Sequence, residues 1–85
     1  MNNNLYNNQT GASEDAIAAW EKCLGIIRDN VNWRTYQTWF EPIRVVSLTQ
    51  QVLTLQVPSQ FFYEWLEEHY VALLGKTIRR VLGKE

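Results

Sequence analysis

The stretch Thr35-Tyr36-Gln37-Thr38-Trp39-Phe40-Glu41-Pro42-Ile43, followed by Leu53-Thr54-Leu55-Gln56-Val57-Pro58-Ser59-Gln60-Phe61-Phe62, constrains the fold more than any other part of this chain. Bulky aromatics run up to Pro42, which disfavours helical geometry at Glu41 and stops a helix there. An alternating strand then leads into a second proline, Pro58, and a good helix N-cap, Ser59. Such a chain must pass from helix to hairpin to helix. No catalytic chemistry is written into the stretch; it specifies a small surface rich in exposed aromatics, which suits binding a protein.

The remaining elements are read from caps and periodicity. Residues 1–12 are Asn-rich with little apolar content and are expected to form a disordered tail. Ser13 is a good N-cap, and Glu14 and Asp15 follow in the first turn, where the helix dipole favours negative charge. The first helix is expected to run to about Asp29, with Ile17, Trp20, Leu24, Ile27 and Val31 on one stripe. Asn32 caps a second, short helix from Trp33 to Phe40. Ile43–Leu48 and Val52–Val57 read as two strands around the polar turn Thr49-Gln50-Gln51. Val45 and Val46 are adjacent, so the first strand has either a bulge or burial on both faces.

A long third helix starts after Ser59, with Phe62, Leu66, Tyr70, Leu73, Leu74, Thr77 and Val81 as its apolar stripe and a kink at Gly75. Phe61 falls about 100° from Phe62, at the stripe edge, and sits in the first turn, where neighbours are few. It is the aromatic expected to be exposed.

The 85 residues make one small domain, and residues 13–85 are its expected folding unit. Ten of the eleven aromatics lie between Trp20 and Tyr70 and supply most of the core area so short a chain can bury. A net charge of −1 gives no global field for nucleic acid or anionic membrane. No apolar run is long enough to span a bilayer, and the start lacks a secretory signal. The single cysteine, Cys23, excludes an internal disulfide and points to a reducing, cytoplasmic setting.

Candidate chemistry is sparse. One His and one Cys cannot assemble a metal site, and there is no glycine-rich phosphate loop. His69 is expected to be a partly buried structural residue and Cys23 a packing residue at the stripe edge. Glu64, Glu67 and Glu68 read as a solvated helix face. Lys76, Arg79, Arg80 and Lys84 complement the dipole at the end of the third helix, and they also form a modest basic end that single-stranded nucleic acid could contact. Trp20 lies in the first stripe; if that end of the stripe is uncovered in the monomer, the ring would drive self-association.

At these residues the chain resembles the N-terminal domain of the bacterial replication initiator DnaA. Trp20-Glu21-Lys22-Cys23-Leu24 matches the opening of the family pattern; Tyr36, Thr38, Trp39, Pro42 and Ile43 match its middle; Leu53, Leu55, Pro58, Phe61, Glu64, Trp65 and Tyr70 match its end. The match covers about residues 18–82. The resemblance implies an α+β, K-homology-like domain: two N-terminal helices, a hairpin and a long third helix. It implies no ATPase activity in this piece, and the residues themselves lead to no expectation of another enzymatic activity, a cofactor or a metal. ATP binding and origin recognition belong to later domains of the full-length protein, so the chain is expected to be a piece of a longer one.

The resemblance also implies partners: the replicative helicase, initiation regulators and a second copy of the domain. Phe61 corresponds to the exposed phenylalanine used for helicase and regulator binding, with Trp39 and Ser59 near it. Trp20 corresponds to the self-association tryptophan. Thr35 replaces a residue that is acidic in some members, and Ser59 replaces the usual Asn. Nothing after Leu82 resembles the strand that often completes the family sheet. The alternative reading is a weak single-stranded nucleic-acid module using Lys76, Arg79 and Arg80, although the Gly-x-x-Gly phosphate clamp of K-homology domains is missing.

Overall fold

Side-chain caps set the helix starts. The computed structural model describes residues 12–83, so apart from Ala12 the expected tail lies outside the described residues, as does Lys84. Ser13 Oγ accepts from the Ala16 N–H at 3.2 Å and opens α1 (Glu14–Arg28). Asn32 Oδ1 accepts from the Thr35 N–H at 2.8 Å and opens α2 (Trp33–Thr35). This helix widens at once into a π-helical turn, Tyr36–Phe40, where the Glu41 N–H donates to the Tyr36 carbonyl at 3.0 Å. Ser59 Oγ accepts from the Phe62 N–H at 3.1 Å and opens α3 (Gln60–His69). The last helix, α4 (Val71–Leu82), ends at Gly83, whose φ of 74° is left-handed and favours glycine.

Between the helices, β1 (Arg44–Thr49) and β2 (Val52–Gln56) form a two-stranded antiparallel sheet, with no third strand among the described residues. The register shifts between Val45↔Leu55 and Ser47↔Thr54, which leaves Val46 as a bulge, and Val45 to Leu48 are all half-buried, so both features expected of this strand occur. Gln50 and Gln51 link the strands with φ of 52° and 66°, the signature of a type I′ turn. Leu53, Leu55 and Val57 turn inward and alternate with exposed Val52, Thr54 and Gln56.

The core gathers Trp20, Cys23, Ile27, Tyr36, Phe40, Ile43 and Leu66. The α+β class and the element order follow the expectation, but two details differ. The buried face of α1 runs through Ala16, Ala19, Trp20, Cys23 and Ile27. It is rotated from the expected stripe, so Cys23 is central and Ile17 is pushed to the edge. The expected single long helix breaks at Tyr70 (φ −131°, ψ 9°), while Gly75 lies inside the uninterrupted α4. The Tyr70 ring meets the buried Phe40 edge-on at 5.3 Å, so tertiary packing sets the break point.

Candidate protein-binding surface

Phe61 is the second residue of α3, in the first turn after the Ser59 cap and on the flank away from the core. Its side chain is 66% exposed, as the helical phase predicts. It does not stand alone. Its ring lies 6.5 Å from Trp65, one turn on, and Trp65 stacks on Trp39 from the π-turn at 5.0 Å with planes 12° apart. Phe62 abuts the same Trp39 ring at 4.9 Å. The result is a continuous aromatic band with a buried inner edge and Phe61 as its protruding outer member. The Trp65 indole N–H is buried at the base of this band without a partner among the described residues.

His69 extends the band, with its ring 4.1 Å from Trp65. It is exposed, which corrects the expectation of a partly buried structural histidine. The helix breaks just after it, so the residue lies at a helix end instead of continuing a buried stripe. Ser59 sits beside Phe61, but its hydroxyl is engaged in the cap. Thr35 is half-buried one turn before Trp39.

Trp20 is 4% exposed, with its indole N–H buried and unpartnered. The condition for an uncovered ring at Trp20 is therefore not met within the monomer, and Ile17, 39% exposed, takes the outer place on that face. Both line a shallow cleft of about 370 Å³ with Glu21, Leu24, Ile43 and Val45. Cys23 is fully buried, and burial pushes its thiol up to about 11, so it holds no nucleophilic thiolate at neutral pH.

The basic residues divide. Lys76 and Arg80 line one groove between α1 and α4, and Arg80 joins Lys22 and Arg28 in the neighbouring one. Arg79 belongs to neither; its guanidinium lies near Gly75. Near Arg28 is a residue the sequence reading did not single out. Trp33 is 58% exposed and stacks on Tyr36 at 5.6 Å. Arg28 covers the Tyr36 ring at 5.5 Å and donates to its hydroxyl at 3.4 Å. The available signal was the one used for Phe61: Trp33 directly follows an N-cap, in a first turn with few neighbours.

The sequence matches the DnaA N-terminal domain family over residues 18–80. It is 53% identical over 72 residues to the chromosomal replication initiator protein DnaA of Flavobacterium psychrophilum, a match covering 85% of this chain and 15% of that protein. The DnaA of Chlorobaculum tepidum is 44% identical over 82 residues, covering 96% of this chain and 17% of the relative. That of Bacteroides fragilis is 52% identical over 67 residues, covering 79% and 14% respectively. The chain thus spans only a small part of the length of the relatives it matches, and it belongs to the DnaA N-terminal domain family.

Proposed function

We propose that this domain is a protein-interaction module of a cytoplasmic replication initiator, recruiting the replicative helicase and initiation regulators through the Phe61 band. The observation that carries the reading is the 66% exposure of Phe61 beside the half-buried rings of Trp39, Phe62 and Trp65. An exposed ring backed by a rigid stack loses little entropy on docking and can supply much of an interface's energy. Trp39 and Ser59 support it from below and beside, and Thr35 lies at the margin of the same surface. The domain self-associates weakly through the Ile17 cleft, with Trp20 as its buried floor.

Titrating purified replicative helicase against the wild type and Phe61→Ala tests the main reading. A loss of about 1–3 kcal/mol of binding is expected. Unchanged affinity in a folded variant would overturn it.

A second reading is favoured by exposed Trp33, stacked on the Tyr36 ring that Arg28 covers, with Arg28 lining a groove alongside Lys22 and Arg80. A stacking ring beside clustered cations suits single-stranded DNA. That reading requires oligonucleotide affinity that falls steeply with salt and drops in Trp33→Ala.

A further inference from the structure

The flank of α3 opposite Phe61 carries a different feature. Tyr63 lies about 200° around the helix from Phe61. There α3 and α4 diverge from β2 and leave an apolar cleft of about 240 Å³ walled by Leu55, Val57, Tyr63, Val71 and Leu74. Val71 is 55% exposed at its rim, and Tyr63 is also exposed. One charged residue, Glu67, lines the cleft one helical turn on from Tyr63. No cation lines it among the described residues. The volume falls below the roughly 300–1,000 Å³ of small-molecule pockets and suits one or two large side chains.

We infer that this cleft is a second docking site, for a peptide segment of a partner protein that inserts an aliphatic side chain between Leu55, Val57 and Val71 and sets a neighbouring Lys or Arg on Glu67. Charge selects the occupant. Glu67 is exposed at the cleft's edge, so an acidic segment would meet like charge there, whereas a basic one gains a charge-assisted hydrogen bond. The inference does not rest on the Phe61 reading, because the two surfaces share no exposed residue.

The test is a titration followed by amide NMR. The probes are the peptide acetyl-Lys-Leu-Lys-Leu-Lys-amide and its counterpart with Glu in place of each Lys. Saturable perturbations at Leu55, Val57, Val71 and Leu74 are expected with the Lys peptide. Glu67→Lys should weaken that binding about tenfold, the worth of one charge-assisted contact, and should reverse the preference toward the Glu peptide. Val71→Ser should weaken both, and Phe61→Ala should change neither. Equal binding of the two peptides, perturbations centred on Phe61 and Trp65, or no saturation would overturn the inference. So would cleft perturbations that arise on concentrating the protein alone, which would make the occupant a second copy.

Discussion

Trp39 and Trp65 lie face to face, 5.0 Å apart and within 12° of parallel, and so join the π-turn to α3. Both rings are half-buried, whereas Phe61 beside them is mostly in water. Stability and recognition should therefore separate at adjacent residues. Trp39→Ala is expected to cost about 2–4 kcal/mol of folding free energy, because it removes a stacked ring that also supports Phe62. Phe61→Ala should leave stability within about 0.5 kcal/mol of wild type. Urea unfolding of the two variants checks this; a large loss in Phe61→Ala would place that ring in the core energetics.

The hairpin turn offers a gain. Gln50 and Gln51 both hold positive φ, a conformation that Asn and Gly adopt at less cost. The double substitution Gln50→Asn, Gln51→Gly should stabilise the domain by about 0.5–1 kcal/mol, seen as a higher urea midpoint with an unchanged slope.

Cys23 gives a pH dependence with a definite sign. Burial raises its thiol from 9.0 to about 11, so the folded state keeps a proton that the unfolded chain releases. The contribution is fully present below pH 9.0 and is lost as pH rises toward about 11. The slope from this group is at most about 1.4 kcal/mol per pH unit. Urea midpoints across that window should fall less steeply in Cys23→Ala than in wild type, although the variant starts about 1 kcal/mol less stable from its small cavity. Native Cys23 should also resist a thiol reagent until the protein unfolds.

Tyr63 reports on the second cleft. The hydrogen bond to Glu67 and that residue's negative charge hold the phenol above its ordinary range. Glu67→Gln removes the charge and should lower the titration midpoint of Tyr63, read from phenolate absorbance. An unmoved midpoint would show that the pair is not formed in solution.

What the sequence disclosed was mostly local chemistry. Ser13, Asn32 and Ser59 each cap the helix they were expected to cap, because an N-cap depends on neighbours within three residues. Phe61 was legible from phase alone. The Tyr70 break was not, because it has neither Gly nor Pro to mark it and depends on a ring lodged against Phe40. The phase of α1 was misplaced because two buried alanines, Ala16 and Ala19, carry little hydrophobic signal while Ile17 carries much. The cleft of Val71 and Glu67 was invisible for a related reason: it exists only where α4 departs from α3's axis.

That departure has a mechanical consequence. Phe61 is mounted on a short rod that starts at the Ser59 cap and ends at Tyr70, while the contacts of α1 with α4 lie beyond that end. A load applied at Phe61 would fall first on this short rod and on the tryptophan pair beside it, ahead of the contacts between α1 and α4.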